Sequence, residues 1–222
     1  MKQFLFFAIF AALCMSCNKN KTAASSSRSV FQELTGSDTE EERESWNAKY
    51  KEKKYQRGSD PEPSLKSHLH LLPKGKVLLY PLEDGTNAIF LAQQGFKVWG
   101  IDYSDAAIQK AYRQARAAGV SITGINANLE QYEFEVGAYD AIIALDFFRP
   151  RLVEQVKKGL KKNGVVFYIN SIAKPGQDDV LGDLKPGELP ALFSEFKVIV
   201  AKEIPPTAED GKTSALLIGR KP

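Results

Sequence analysis

Cysteine and histidine are scarce in this sequence, which limits its redox and metal chemistry. The two cysteines are Cys14 and Cys17, and the two histidines are His68 and His70. Cys14 and Cys17 have the C-x-x-C spacing of redox and metal pairs, but no second pair follows them. We therefore predict no metal site, and we interpret both histidines as surface residues of a helix.

Clustered basic charge is also lacking. The 222 residues include 30 basic and 27 acidic side chains, a net charge of +3, and the lysines are spread along the chain. A nucleic-acid interface needs basic side chains gathered on one face, because much of its affinity comes from neutralising phosphates. We therefore expect no DNA or RNA partner.

The N-terminal apolar run is too short to cross a membrane. It covers the ten residues from Phe4 to Leu13, whereas a bilayer core about 30 Å thick needs about 20 residues of helix. A short basic start, this run and Ser16 before Cys17 follow the plan of a secretory signal. The position of Cys17 resembles that in bacterial lipoprotein signals, in which cleavage before the cysteine exposes it for acylation. Cys14 departs from that pattern, since a branched apolar residue is usual there.

This resemblance implies three regions. Residues 1–17 are predicted to be a lipoprotein-type signal peptide, residues 18–38 a flexible tether, and residues 39–222 one domain of ordinary size. The tether begins with a polar, serine-rich stretch without apolar periodicity. The resemblance predicts an exported protein held on a bacterial membrane by lipid on Cys17. The alternative is a fortuitous apolar N-terminus on a cytoplasmic protein.

The domain is predicted to begin with a helix from about Thr39. Glutamates lie near its start and lysines near its end, which suits the helix macrodipole. Trp46 and Tyr50 lie one turn apart on a narrow apolar stripe, so the helix must dock on a larger body to be stable. Two interpretations are open: the aromatic pair anchors a peripheral helix, or it forms a lid over a pocket.

From residue 76 onward, strands and helices alternate, which indicates an α/β fold with a doubly wound, mostly parallel sheet. The predicted strands are 76–80, 97–102, 122–126, 139–145 and 165–171, and the predicted helices are 86–94, 104–118 and 150–162. Several strands lack polar alternation, as expected when both faces are covered. Two further strands, 197–204 and 214–220, follow one another without a helix and therefore predict an antiparallel hairpin at a sheet edge.

The first strand–helix–strand unit has the layout of a nucleotide pocket. It runs from Val77 to Tyr103, with a tight turn before Gly85 and a carboxylate, Asp102, at the end of its second strand. Such a turn presents N–H groups to a ligand, and an acid in this position binds ribose hydroxyls. The turn contains one glycine, where loops of this kind usually contain several.

Several motifs, in their order, resemble the class I S-adenosylmethionine-dependent methyltransferases of the tellurite-resistance and thiopurine type. The matching segments are Trp46-Asn47-Ala48-Lys49-Tyr50, Asp84-Gly85-Thr86-Asn87-Ala88, Gly100-Ile101-Asp102-Tyr103-Ser104, Asn128-Leu129, Tyr139-Asp140-Ala141-Ile142 and Lys162-Asn163-Gly164-Val165. The resemblance covers most of residues 46–222 and implies a Rossmann-like sheet of seven strands, whose last pair is the antiparallel hairpin.

The resemblance also implies which residues contact S-adenosylmethionine. The loop after the first strand would hold the methionine end, Asp102 the ribose and Asn128 the adenine amino group, with the aromatic helix closing over the site. The implied cofactor-binding residues are Trp46, Tyr50, Glu83, Asp84, Gly85, Asn87, Asp102, Tyr103 and Asn128. Four of them also have a structural interpretation: Gly85 permits a helix start, Asn87 caps that helix, Asp102 is a loop acid at a strand end, and Asn128 stabilises its own turn.

The loop departs from the family pattern, which begins D-x-G-x-G. Leu79 replaces the acid, Pro81 the first glycine and Glu83 the second glycine. Proline removes an N–H donor, and a glutamate places a bulky anion where a carboxylate must bind, although it can also pair with the ammonium of the cofactor. A histidine usual after the fourth strand is missing as well, which leaves Asp146 as the candidate for orienting an acceptor.

These features predict methyl transfer to a small soft acceptor, such as a thiol, selenium or tellurium species. Little acid–base help is needed, because alignment of the reactants supplies most of the rate. The alternative is a non-catalytic lipoprotein that kept the fold and lost cofactor binding. A nicotinamide dehydrogenase shares the acid at the end of the second strand but lacks G-x-G-x-x-G and has a different C-terminal order of elements.

Overall fold

The computed structural model describes residues 40–52, 60–174, 182–206 and 211–222. The predicted signal peptide and tether, including Cys17, lie outside the described residues. Within the described ranges, no helix combines the length and apolar character that crossing a bilayer requires.

The described residues form helices on both faces of one seven-stranded sheet. The helices are α1 (Glu40–Lys51), α2 (Pro63–His68, continued by a 3-10 turn Leu69–Leu71), α3 (Thr86–Gln93), α4 (Asp105–Ala117), α5 (Pro150–Gly159) and α6 (Glu188–Leu192). The strands are β1 (Lys76–Tyr80), β2 (Lys97–Asp102), β3 (Thr123–Asn126), β4 (Tyr139–Leu145), β5 (Leu160–Ser171), β6 (Lys197–Ile204) and β7 (Ser214–Arg220).

The strand order is β3-β2-β1-β4-β5-β7-β6. The first five strands in this order pair in parallel, and β7 pairs antiparallel with both β5 and β6. This confirms the predicted α/β class, the mostly parallel seven-stranded sheet and the C-terminal antiparallel hairpin.

Side chains of the central strands alternate between two apolar layers. On β1, Leu78 and Tyr80 contribute to one layer, whereas Val77 and Leu79 contribute to the other. Helices α5 and α6 cover the first layer, and α2, α3 and α4 cover the second. Burial on both faces explains why these strands have no polar alternation in the sequence.

The predicted helix 150–162 is too long by three residues. Helix α5 ends at Gly159, and Leu160 begins β5 with its side chain in the core. The Lys221 ammonium donates to the carbonyl oxygens of Lys157, at 2.6 Å, and Leu160, at 2.8 Å, so a residue from the end of the chain caps this helix. Gly164 lies inside β5.

The carboxyl ends of the five parallel strands meet at one edge of the sheet. The chain proceeds from β1 through β2 to β3 on one side, and then returns to β4 and β5 on the other side of β1. A crevice forms where the direction of winding reverses, and ligands of doubly wound folds bind there. In this domain the reversal lies between β1 and β4.

At the opposite edge of the sheet, the carboxylate of Asp140 accepts hydrogen bonds from two other strands. Its Oδ2 accepts from the Lys76 N–H at 2.8 Å, and both of its oxygens accept from the Lys161 ammonium at 2.9 Å. Burial by itself raises the pKa of Asp140, but the hydrogen bonds from Lys161 and from the Lys76 backbone outweigh it, so the pKa lies below its ordinary value. Asp140 therefore joins the starts of β1 and β5 to β4.

We predict that Asp140→Asn lowers the free energy of unfolding by about 1 kcal/mol at neutral pH, since the pair with Lys161 is partly exposed. Because the folded-state pKa is depressed, the contribution of Asp140 is present above the unfolded pKa of about 4 and is lost as pH falls through the folded pKa. Denaturant titrations from pH 7 to pH 3 measure this. A difference between the two proteins that stays constant down to pH 3 would contradict the assignment.

Candidate functional site

Asp102 lies at the carboxyl end of β2 and organises the edge around it. The residue is 8% exposed. Its Oδ2 accepts from the Glu83 N–H at 2.8 Å, and its Oδ1 accepts from the Ser104 N–H at 2.9 Å. The first bond ties β2 to the loop after β1, and the second orders the turn into α4.

The β1–α3 loop, residues 81–85, is held by bonds within the domain. The Leu82 N–H donates to the Ile101 carbonyl at 2.7 Å, and the Gly85 N–H donates to the Leu82 carbonyl at 3.1 Å. Glu83 is buried and adopts the left-handed conformation, with φ of 57°. Glycine is favoured in this conformation, so the loop keeps the backbone shape of a glycine position while carrying a glutamate there.

Asp84 and Asn87 support the start of α3. The Asp84 Oδ1 accepts from the Thr86 hydroxyl at 2.9 Å and from the Thr86 N–H at 3.2 Å. The Asn87 Oδ1 accepts from the Glu62 N–H at 2.8 Å, which fastens the segment before α2. Both side chains therefore have structural roles, and Asn87 holds the segment before α2 instead of capping α3.

Gly85 has two reasons to be glycine. Its φ is +88°, which side-chain-bearing residues rarely adopt. A Cβ atom here would also lie 2.7 Å from the Ala111 Cβ and 2.9 Å from the Ala111 Cα on α4. Gly85 thus permits α3 and α4 to approach each other directly beneath the loop.

Asn128 and Tyr103 lie beside the same edge, after β3 and β2. The Asn128 Oδ1 accepts from the Glu130 N–H at 2.8 Å and so stabilises its own turn. The Asn126 Nδ2 donates to the Tyr103 carbonyl at 3.1 Å, which joins the ends of β2 and β3. The predicted adenine-side and ribose-side residues are therefore brought to neighbouring strand ends.

Helix α1 packs against α4 through Asn47, a residue that the sequence reasoning did not single out. The Asn47 Oδ1 accepts from the Ser104 hydroxyl at 2.7 Å and from the Ala106 N–H at 3.1 Å. Ser104 is the N-cap of α4 and directly follows the site segment. The signal available in the sequence was an asparagine next to Trp46 in an otherwise charged helix.

The aromatic pair of α1 is divided between core and surface. Tyr50 is buried, whereas Trp46 is 41% exposed, and their ring centroids are 6.1 Å apart. The Lys49 ammonium lies over the Trp46 ring, 4.1 Å from its centroid. Tyr50 thus anchors the helix, and Trp46 remains at the surface of the same helix.

Asp146 lies at the carboxyl end of β4, next to the reversal in winding. It is exposed and left-handed, with φ of 48°, and its N–H donates to the Ile169 carbonyl at 2.9 Å. The Tyr168 hydroxyl donates to the Phe147 carbonyl at 2.9 Å. Burial raises the pKa of Tyr168, so this phenol stays neutral and keeps its donor. Strand β5 therefore holds the loop that presents Asp146.

The family comparison agrees with this geometry. Residues 83–164, which run from the β1–α3 loop into β5, match the family model described as a methyltransferase domain. This segment is similar to a methyltransferase domain. It includes Asp102, Asn128 and Asp146, the three residues assigned from the sequence to ribose, adenine and acceptor.

A curated relative also matches this chain. The chain is 29% identical over 141 residues to the carboxy-S-adenosyl-L-methionine synthase of Campylobacter concisus, across 55% of this chain and 58% of that enzyme. The chain thus spans somewhat more than half the length of this curated relative.

Two solved structures share the fold of this domain. TehB from Haemophilus influenzae matches with a TM-score of 0.61 and 14% identity, over 72% of this chain and 62% of TehB. An S-adenosylmethionine-dependent methyltransferase from Methanosarcina mazei matches with a TM-score of 0.56 and 18% identity, over 73% of this chain and 98% of that protein. At these identities the likeness concerns the fold.

The two ends of an S-adenosylmethionine molecule fit this domain unequally. At the nucleoside end, Asp102 and Asn128 supply acceptors at adjacent strand ends. At the amino-acid end, Leu79 replaces an acid, Pro81 has no N–H, and Glu83 places a bulky side chain at a glycine position. The nucleoside half suits the residues present, and the amino-acid half does not.

Metal ligation finds no support in the part of the chain that the structure describes. No group of three or more histidine, cysteine, aspartate or glutamate side chains is placed to hold an ion there.

We predict that Gly85→Ala destabilises the domain by at least about 2 kcal/mol, because it adds both left-handed strain and a clash with Ala111. Gly95→Ala is the matched control: its φ is +85°, and an added Cβ meets nothing within 4 Å. The control should lose only about 1 kcal/mol. Chemical denaturation of the two variants measures the difference, and equal losses would show that the approach of α3 and α4 is not tight.

Proposed function

We propose that this domain binds an S-adenosyl nucleoside at the carboxyl ends of β1 and β2 and transfers a methyl group to a small soft acceptor of the thiol, selenium or tellurium type. The observation that carries the proposal is the placement of the buried Asp102 at the rim of the sheet, beside the reversal in winding. The methyltransferase-domain match and a relative named for an S-adenosylmethionine derivative support the same ligand class.

The residues of the site have different roles, which follow from their positions. Asp102 accepts hydrogen bonds from the ribose hydroxyls, and Asn128 faces the adenine. Helix α1, fastened by Asn47, covers this end and excludes water. Asp146, held by β5 on the far side of the reversal, orients the acceptor. A bound S-adenosylmethionine supplies an already activated methyl group, so positioning is the main contribution of the protein.

A second function is favoured by the loop itself. Glu83 stands at a glycine position, and Pro81 at another, in the segment that normally cradles the amino-acid end. A methyltransferase-like protein with this loop can keep the fold and lose cofactor binding. A non-catalytic lipoprotein of this kind is therefore the alternative proposal.

We predict weak but saturable binding of S-adenosylhomocysteine in calorimetry, abolished by Asp102→Ala. Asp105→Ala removes the same charge from an exposed position three residues further along the chain and should leave binding in place. Thermal unfolding of both variants checks that each is folded at the assay temperature. No binding at millimolar ligand would contradict the proposed site and would support the non-catalytic alternative, which has lost cofactor binding.

For localisation, we propose export and anchoring to a bacterial membrane through lipid on Cys17. The support is the N-terminal pattern alone, with its ten-residue apolar run and the small residue before the cysteine.

We predict that Cys17→Ser moves the protein from the membrane fraction to the soluble fraction, because the acylated thiol is lost. Cys14→Ser, three residues earlier, leaves the acylation site intact and should remain membrane-bound. Fractionation of cells expressing each variant measures this. Unchanged membrane association of Cys17→Ser would refute lipid anchoring at this residue.

A further inference from the structure

The fold gathers basic residues from distant parts of the sequence at one edge of the sheet. This edge, called the amino edge below, is where the parallel strands and β6 begin and β7 ends, opposite the candidate site. Its basic residues come from strand ends, adjoining turns and the end of α5: Lys74, Lys76, Lys97, Lys157, Lys158, Lys161, Lys162, Lys197, Arg220 and Lys221. Lysines that are spread along the sequence therefore form a cluster in the folded domain.

The strand register makes some of these cations direct neighbours. Lys76 on β1 is paired with Lys97 on β2, and Lys197 on β6 is paired with Arg220 on β7. Like charges directly opposite each other, as in the antiparallel pair of Lys197 and Arg220, are destabilising. Because neighbouring strands lie about 4.8 Å apart, the row of strand ends from β2 to β6 is about 24 Å long. Stability of the sheet does not account for this row.

Acidic side chains neutralise only part of the charge of the amino edge. The ion pairs there are Lys76 with Glu135, Lys161 with Asp140, and Lys157 with both Glu154 and Glu195. Four further lysines are exposed and form no ion pair within the described ranges: Lys97, Lys158, Lys162 and Lys197. The amino edge therefore has an excess of positive charge.

Two exposed valines lie among these lysines. Val136 is 77% exposed, and Val198 is 44% exposed. Val136 lies beside the end of α5, because the Gly137 N–H donates to the Lys158 carbonyl at 2.9 Å. Val198 directly follows Lys197 on β6, the last strand of the sheet. The amino edge thus combines unpaired cations with exposed apolar side chains.

We propose that the amino edge docks on an anionic phospholipid surface. The negative potential of such a surface attracts lysines, and exposed apolar side chains beside them enter the headgroup region. Docking by this edge leaves the candidate site, at the opposite edge, open to water. The proposal depends neither on methyl transfer nor on acylation of Cys17.

Two features favour a membrane over a nucleic acid as the partner. Exposed valines contribute nothing to contacts with phosphates, which hold most proteins on nucleic acids. The lysines also form a row of strand ends, whereas the usual nucleic-acid-binding elements enter a groove or stack bases on aromatic rings. The N-terminal signal pattern independently predicts a membrane location.

The test uses the full chain with Cys17→Ser, called the parent protein, so that acylation does not hold it on the lipid. Co-sedimentation compares its binding to vesicles of phosphatidylcholine with phosphatidylglycerol and to vesicles of phosphatidylcholine alone. We expect tighter binding to the anionic vesicles, weakening as salt is raised. The N-terminal apolar run is the same in every protein compared, so differences between variants report on the amino edge.

A triple variant of the amino edge locates the contact. Lys97→Gln, Lys162→Gln and Lys197→Gln together should weaken binding to the anionic vesicles at least about tenfold, since each lysine near the surface contributes about fivefold. Thermal unfolding checks that the variant is folded, as expected for substitutions at exposed positions.

The matched control removes the same charge from exposed positions nearer the opposite edge. It combines Lys174→Gln, Lys185→Gln and Lys202→Gln, which follow β5 or lie in the second half of β6. This variant should bind the anionic vesicles as the parent protein does. Equal losses in the two triple variants would overturn the proposal, because net charge alone would then explain the binding.

Val136→Ser separates a membrane from a nucleic acid. It should weaken binding to the anionic vesicles about fourfold, since each buried methylene contributes about that much, and should leave binding to duplex DNA unchanged. Vesicle binding that Val136→Ser does not weaken would contradict the proposal. Tighter binding of the parent protein to duplex DNA than to the anionic vesicles at the same ionic strength, lost in the amino-edge variant, would also overturn it and make this edge a nucleic-acid surface.

Discussion

The edge where the site lies depends on the Asp102 carboxylate, which accepts one hydrogen bond from the backbone of the β1–α3 loop and one from the turn into α4. The bond from Glu83 draws the β1–α3 loop onto the end of β2, and the bond from Ser104 sets the turn into α4. Ser104 in turn binds Asn47, so the position of α1 is linked to the same carboxylate. A buried carboxylate is stable in such a place because charge-assisted hydrogen bonds replace its water.

This arrangement explains how the loop keeps the backbone shape of a glycine position while it carries a glutamate there. Glu83 holds the left-handed conformation that a glycine would adopt, because its N–H is fixed by Asp102 and the loop is closed by the Gly85 and Leu82 bonds. Backbone shape and ligand chemistry are therefore separable. The shape is kept, while the acid and the two glycines of the family pattern are not.

Much of the fold followed from the sequence, because alternating apolar strands and amphipathic helices specify layers directly. The end of α5 was missed because its cap, Lys221, comes from 62 residues beyond Gly159. The site was predictable in part: Asp102 reaches the rim because strand ends converge there. The link from Asn47 to Ser104 was not, because a helix–helix hydrogen bond across 57 positions leaves no local pattern.

The central claim is that the Asp102 carboxylate binds the ribose hydroxyls at this edge of the sheet, while the β1–α3 loop keeps its hydrogen bond to Asp102. A crystal structure of the protein with 5′-methylthioadenosine tests it most directly. The account predicts both ribose hydroxyls within hydrogen-bond distance of the Asp102 carboxylate, with the bond from the Glu83 N–H retained. A nucleoside bound elsewhere, or a loop that opens and releases Asp102 to admit it, would contradict the account.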